Sequence, residues 1–294
     1  RDWSSDVCSS DLAPKPEMVP IIEDELEAQF MIAPSIIAGD MSNLEKEVKR
    51  CAGGRADYIH LDVMDGQFVP NKTFDHTKIK ELRPLTLIPF DAHLMIDEPV
   101  KHVHDYVDAG SDIITVHAEV CDESSFGEIC DVLHSNEVGI GLAINPDTEL
   151  PQWCYKFVEL LDQVIIMSVV PGKSGQKFIE STHEKTRRVT KDLREHKFEG
   201  YVESDGGVNL ENIGACYEDG ARVFVGGSAI IGQNDVRMII KEFRNQVLES
   251  RRRLLIKKAH DLGGTELVNS WIDLHVVGEK KDKLVQIAKE LRFQ

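Results

Sequence analysis

Three features are absent from this 294-residue sequence, and each absence argues against a class of protein or site. Its six cysteines include no CxxC pair, which argues against a thiolate metal site and a disulfide framework. No apolar run approaches the roughly 20 residues that a transmembrane helix needs. No long basic run offsets the formal net charge of −17. We therefore expect a cytoplasmic protein with reduced thiols, no membrane partner and no nucleic-acid partner.

From Phe30 onward, short apolar segments alternate with amphipathic ones, which is typical of βα units and a parallel sheet. The pattern predicts strands at 31–37, 58–63, 88–94, 113–117, 139–144, 163–169, 201–204 and 223–225. It predicts helices at 44–51, 77–82, 99–109, 126–135, 150–160, 179–195, 210–218 and 235–249. Three predicted helices also end alike, with Gly54, Gly110 or Gly220 as the expected C-cap before the next strand.

Eight such units with recurring helix ends favour a closed (β/α)₈ barrel, the TIM barrel, over an open sheet. We expect the barrel to occupy residues 31–250. Residues 1–30 would form an N-terminal extension, disordered in part or artefactual. Residues 251–294 would form a helical C-terminal extension, with an amphipathic helix at 282–291.

Side chains that can bind a metal gather where predicted strands end, which is where barrels of this kind carry function. His60 and Asp62 share one face of the second strand, His93 ends the third, and Asp205 ends the seventh. Two imidazoles and two carboxylates suit one divalent ion such as Zn, Fe, Mn or Co. A lone histidine at a strand end is more often structural, and we interpret His117 in that way.

Asp62 and Asp205 would approach a ligand from opposite sides of the barrel mouth. Two opposed carboxylates suit proton abstraction on one face and proton return on the other, with the metal stabilising an enediolate oxygen. The loops after the sixth, seventh and eighth strands are rich in glycine, which lets backbone amides approach a phosphate closely. These patterns together indicate an enzyme that acts on a small phosphorylated substrate.

Several motifs in a fixed order resemble the ribulose-phosphate 3-epimerase family over about residues 33–232. Among them are Ala33-Pro34-Ser35-Ile36, His60-Leu61-Asp62-Val63-Met64-Asp65-Gly66, Asp91-Ala92-His93-Leu94-Met95, Asp205-Gly206-Gly207-Val208 and Gly227-Ser228-Ala229-Ile230. The resemblance implies a metal-dependent isomerase of the pentose phosphate pathway that interconverts D-ribulose 5-phosphate and D-xylulose 5-phosphate, in a homo-oligomer.

The same resemblance assigns roles to individual residues. Asp62 and Asp205 would be the acid/base pair, and His60, Asp62, His93 and Asp205 the metal ligands. The residues expected to contact substrate are Ser35, His60, His93, Gly172, Ser174, Gly175, Gly206, Gly207, Gly227 and Ser228. The thioethers of Met64, Met95 and Met167 would line the site.

Departures from the family pattern keep other functions open. Gln67 stands where histidine is common, and Lys173 and Ser174 alter the loop after the sixth strand, close to the expected phosphate site. A 3-epimerase for a ketohexose phosphate such as allulose 6-phosphate is therefore an alternative. A ketose-phosphate lyase of the same barrel superfamily fits the two histidines less well. A sugar-phosphate-binding barrel without turnover is disfavoured because both carboxylates are present.

Overall fold

Eight parallel strands form one sheet in the computed structural model, which describes residues 28–261. The strands are β1 (Met31–Pro34), β2 (Ile59–Met64), β3 (Phe90–Met95), β4 (Ile113–His117), β5 (Gly139–Ile144), β6 (Gln163–Met167), β7 (Tyr201–Asp205) and β8 (Val223–Gly226). Their order is β1-β8-β7-β6-β5-β4-β3-β2, and a single parallel bridge from Ser35 to His60 joins the two ends. The predicted (β/α)₈ barrel is confirmed.

Helices follow the strands along the chain. They are α1 (Leu44–Gly54), α2 (His76–Leu82), α3 (Val103–Asp108), α4 (Glu123–Ser135), α5 (Thr182–Glu195), α6 (Ile213–Glu218), α7 (Ser228–Ile231) and α8 (Val236–Asp261). All residues of β2 and β3 are buried, as expected for strands covered by helices outside and by side chains inside the barrel. Within residues 28–261, no helix combines the length and apolar character needed to cross a membrane.

By its internal contacts the chain divides into two compact units, Phe30–Val247 and a second made of Arg1–Gln29 with Leu248–Gln294. The first unit contains the whole barrel. Of the second, the structure describes only residues 28–29 and 248–261, the latter part of α8. The predicted N-terminal extension lies almost entirely outside the described residues, as does the amphipathic helix at 282–291.

The helix predicted at 150–160 is wrong. That stretch contains only a 3₁₀ helix, Gln152–Lys156. The amide of Cys154 donates to the carbonyl of Pro151, and the amide of Phe157 donates to that of Cys154, both at 2.9 Å. These i→i+3 bonds wind the chain more tightly than an α-helix. The helix predicted at 99–109 is likewise divided, with a 3₁₀ turn at Pro99–Lys101 before α3.

Two of the three expected glycine caps have the left-handed backbone that favours glycine. Gly110 has φ +88° and Gly220 has φ +111°. The first cap is different, because Arg55, with φ +60°, takes the left-handed position after α1. Gly54 instead ends the helix itself, where a Cβ would lie 2.9 Å from Val236 Cγ1.

Substitutions at Gly220 and at Arg55, both of which have positive φ, should differ in their effect on the free energy of unfolding. Gly220→Ala should lower the free energy of unfolding by more than about 1 kcal/mol, because alanine is strained at positive φ. Its Cβ would also lie 2.5 Å from Thr190 Cγ2. Arg55→Gly should leave stability unchanged or raise it by up to about 1 kcal/mol. Urea unfolding followed by circular dichroism measures both, and equal losses in the two variants would contradict this account.

Candidate active site

The register of β2 against β3 sets the first half of the site. His60 lies beside Asp91, and Asp62 lies beside His93, in neighbouring rows of the parallel pair. Alternate side chains of a strand point to the same face. His60, Asp62, Asp91 and His93 therefore all enter the barrel interior, where Asp205 meets them from the end of β7.

The four residues predicted as metal ligands converge on one point. Each offers one ligand atom, and these atoms all lie within 4.8 Å of one another. His93 Nδ1 lies 3.3 Å from Asp62 Oδ1 and 3.4 Å from Asp205 Oδ2. His60 Nε2 lies 3.4 Å from Asp62 Oδ1 and 3.8 Å from Asp205 Oδ2. All four residues are buried.

Within residues 28–261, one fully buried polar atom of this cluster has no hydrogen-bond partner. His60 Nε2 is buried and unpaired, although the other ring nitrogen, Nδ1, lies 2.7 Å from Asp91 Oδ2. Because Asp91 accepts the Nδ1 proton, Nε2 is the ring nitrogen that faces the carboxylates. A buried polar atom without a hydrogen-bond partner is costly, whereas coordination of a cation by Nε2 would satisfy it. The donor set of two imidazoles and two carboxylates fits a divalent transition metal.

Mutual attraction dominates the electrostatics of the cluster. Burial would raise the pKa of the Asp62 carboxyl, but the His60 and His93 imidazoles lower it below its ordinary value. Burial would lower the pKa of His60, but Asp62 and Asp91 raise it well above its usual range. Asp62 is therefore a carboxylate, available both as a ligand and as a base.

Ser35 fixes the position of Asp62 from the other side. Its hydroxyl donates to Asp62 Oδ2 at 2.5 Å, and both residues are buried. Ser35 lies just past β1 and forms, with His60, the bridge that closes the barrel. The residue predicted to contact substrate thus also holds the carboxylate.

A second row of polar residues lies deeper in the barrel, and sequence reasoning gave it no role. Gln163 Nε2 donates to Asp91 Oδ1 at 3.1 Å, and Glu203 Oε1 lies 3.5 Å from His60 Nδ1. Burial, together with the charge of Asp91, raises the pKa of Glu203 well above its ordinary value. The sequence contains one indication that these residues enter the barrel. Asp91 and Glu203 stand two residues before His93 and Asp205, and residues two apart on a strand share one face.

His117 also lies in the site. Its Nε2 is 2.8 Å from His93 Nε2, and its Nδ1 is 3.0 Å from Glu119 Oε2. Burial lowers the pKa of the His117 imidazole. The structural role predicted for His117 is therefore incomplete, because this residue contacts a predicted metal ligand.

A cavity opens above the cluster at the C-terminal ends of the strands. Its lining includes both predicted acid/base residues, Asp62 and Asp205, and the three predicted thioethers, Met64, Met95 and Met167. It also includes most of the residues predicted to contact substrate, which are Ser35, Gly172, Ser174, Gly175, Gly206, Gly207, Gly227 and Ser228. Lys173 lines it as well. His60 and His93 lie beneath this lining and are fully buried.

The glycine loops bring backbone close to the cavity. Gly207 has φ +66°, and a Cβ there would lie 2.5 Å from the amide nitrogen of Phe178, so only glycine fits. Across the cavity, Asn71 Nδ2 donates to the carbonyl of Gly172 at 2.7 Å. This bond ties the loop after β2 to the loop after β6.

Comparison with known proteins gives consistent results. The family model of the ribulose-phosphate 3-epimerase family matches residues 31–231. The chain is 40% identical to ribulose-phosphate 3-epimerase of Bacillus subtilis over 214 residues, which covers 72% of this chain and 97% of that protein. It is 37% identical to the Escherichia coli K12 enzyme of the same name over 220 residues, covering 74% and 96%.

Among solved structures, 3-keto-L-gulonate-6-phosphate decarboxylase from Vibrio cholerae aligns with a TM-score of 0.56 and 14% identity. The alignment covers 76% of this chain and 99% of that one. At this identity the likeness shows the barrel fold alone.

Binding of a divalent ion at the four-residue cluster should stabilise the protein. Zn²⁺ or Co²⁺ at a hundred times its Kd should raise the free energy of unfolding of the metal-stripped protein by about 2.7 kcal/mol. For a barrel of this size, that gain raises Tm by roughly 5–10 °C. His60→Ala should lose most of this shift. His104→Ala, which removes an exposed imidazole from α3, should keep it. Equal shifts in both variants, measured by differential scanning calorimetry, would place the ion elsewhere.

Proposed function

The chain belongs to the ribulose-phosphate 3-epimerase family, and we propose that Asp62 and Asp205 epimerise its pentulose phosphate at C3. The reaction interconverts D-ribulose 5-phosphate and D-xylulose 5-phosphate. One observation carries the assignment of the two residues. Their carboxylates come from β2 and β7, line the same cavity, and lie within 3.4 Å of one imidazole nitrogen, His93 Nδ1.

Each half-reaction moves one proton. The hydrogen on C3 is acidic because it is adjacent to the C2 carbonyl. One carboxylate removes it, and the C3–H electron pair forms the C2–C3 double bond of an enediolate. The other carboxyl then returns a proton to the opposite face of C3. The starting base ends protonated and its partner ends ionised, so the reverse reaction begins with the roles exchanged.

Asp62 is prepared for this role by its neighbours. The Ser35 hydroxyl donates to Oδ2, which leaves Oδ1 facing His60 and His93. The imidazoles keep its pKa low, so it is ionised when substrate arrives. A carboxylate held in one orientation loses no time or free energy in reorienting at each turnover.

His60, Asp62, His93 and Asp205 would hold one divalent ion, of the Zn, Fe, Mn or Co class. Such an ion, when bound, supplies positive charge that stabilises the developing enediolate oxygens. His60 and His93 take no proton in this scheme. Both are fully buried, so they would act as ligands of the ion.

The remaining cavity residues would bind and enclose the substrate. Backbone at Gly172, Gly175, Gly206, Gly207 and Gly227, with the hydroxyls of Ser174 and Ser228, would hold the phosphate. Met64, Met95 and Met167 would cover the reacting carbons with polarisable, apolar surface. That cover would keep water from protonating the enediolate. A cytoplasmic location and a homo-oligomeric assembly stay predictions of the sequence.

Loss of either carboxylate should abolish epimerisation without loss of the fold. Asp62→Asn and Asp205→Asn should each lower kcat by at least about 10²–10⁴, because each removes an acid/base and weakens the ion site. Asp131→Asn, on the exposed face of α4, is the matched control and should keep full activity. Circular dichroism would establish that all three variants fold. Near-normal turnover in either active-site variant would refute the two-carboxylate assignment.

The proton route can be followed directly in D₂O. Ribulose 5-phosphate incubated with the metal-loaded protein should give xylulose 5-phosphate carrying deuterium at C3, and a chelator should stop both. If Asp62→Asn still exchanges the C3 hydrogen with solvent, it should do so in only one of the two epimers. Asp205→Asn should then exchange the C3 hydrogen of the other epimer only. Product without C3 deuterium would contradict the scheme. Allulose 6-phosphate assayed in parallel, if turned over faster, would identify the ketohexose alternative.

A further inference from the structure

We propose that Glu119 and His117 form a positioning relay that fixes the tautomer of His93 and aims its Nδ1 lone pair at the ion site. The proposal rests on the proposed function and concerns the same site. It assigns a role to two residues that neither touch the reacting atoms nor line the cavity. Three consecutive hydrogen bonds carry it, running from the loop after β5 to the centre of the barrel.

The relay begins at the carboxylate of Glu119. Glu119 lies in the 3₁₀ turn Ala118–Val120, directly after β4. Its Oε1 accepts the backbone N–H of Asn145 at 2.7 Å, and its Oε2 lies 3.0 Å from His117 Nδ1. Burial would raise the pKa of Glu119, but these bonds and one from Thr148 lower it to about 2. Glu119 is therefore ionised at neutral pH and can only accept.

The direction of each following bond is then determined. His117 must carry its proton on Nδ1, which leaves Nε2 as an acceptor. His117 Nε2 lies 2.8 Å from His93 Nε2, so His93 must donate there and carry its proton on Nε2. In the neutral ring, as it would coordinate an ion, the remaining nitrogen, His93 Nδ1, therefore presents the lone pair. That nitrogen is the one that lies 3.3 Å from Asp62 and 3.4 Å from Asp205.

The surroundings keep the relay from rearranging. His93 and His117 are both fully buried, so water cannot replace a bond that reverses. Their ring centroids lie 4.9 Å apart with an interplanar angle of 20°, and the centroid of the Phe68 ring lies 4.7 Å from that of His117. His60 has a separate partner, Asp91, for the same purpose. The two histidine ligands are thus oriented by carboxylates, one directly and one through a second imidazole.

Glu119→Gln tests the relay because glutamine has the shape of glutamate but replaces one acceptor oxygen by an NH₂ donor. The Asn145 N–H still requires an acceptor, so the amide oxygen should take that position and turn its NH₂ toward His117 Nδ1. His117 would then donate from Nε2, and His93 would be left with its proton on Nδ1, facing the carboxylates. We expect Zn²⁺ affinity, measured by isothermal titration calorimetry, to fall by at least tenfold. Glu149→Gln, at an exposed residue paired with Arg188, is the matched control and should bind as the wild type does.

A second measurement does not depend on any variant. Long-range ¹H–¹⁵N NMR of metal-free wild type should show a proton on His93 Nε2 and the proton of His117 on Nδ1, whereas Glu119→Gln should show no proton on His93 Nε2 and the proton of His117 on Nε2. The reverse tautomers in the wild type, or Zn²⁺ affinity in Glu119→Gln within threefold of wild type, would overturn the relay. If the wild type itself bound no ion, the metal part of the proposed function would fail, and the NMR result would still decide the relay.

Discussion

The burial of two imidazoles and two carboxylates at one point of the barrel is the constraint on which the rest of the structure depends. Ionisable groups without water are costly unless each is paired or coordinates a cation. His60, Asp62, His93 and Asp205 partly satisfy one another, yet no residue among those described gives His60 Nε2 a hydrogen-bond partner. A cation at the centre would satisfy this nitrogen and, in the proposed function, would stabilise the enediolate that forms when C3 loses its proton.

The barrel supplies the precision that this arrangement needs. Strand register places His60 beside Asp91 and Asp62 beside His93, so the two residues of each pair lie side by side on adjacent strands. Ser35 closes the barrel and also holds Asp62, which couples the fold to the orientation of the base. Two residues that are not predicted ligands, Asp91 and Glu119, determine which nitrogen of each histidine faces the centre. The site is thus a property of several strands at once.

The sequence predicted the strands and the four clustered residues because both follow from local rules. The two-residue period puts His60 and Asp62 on one face, and function in a barrel collects at strand ends. It did not predict the roles of Asp91 and His117, because their partners lie 31 and 24 residues away and depend on register. It also placed a helix at 150–160 on apolar spacing alone, although i→i+3 bonds beginning at Pro151 limit that stretch to a 3₁₀ turn.

In the proposed site, the lone pairs of the two histidines and the two carboxylates meet on one cation. Anomalous diffraction from crystals grown with Co²⁺, recorded on both sides of the cobalt absorption edge, tests it most directly. One strong peak per chain is expected, bonded to His60 Nε2, His93 Nδ1, Asp62 and Asp205. A peak bonded to His93 Nε2, or no peak within the cluster in active protein, would contradict it.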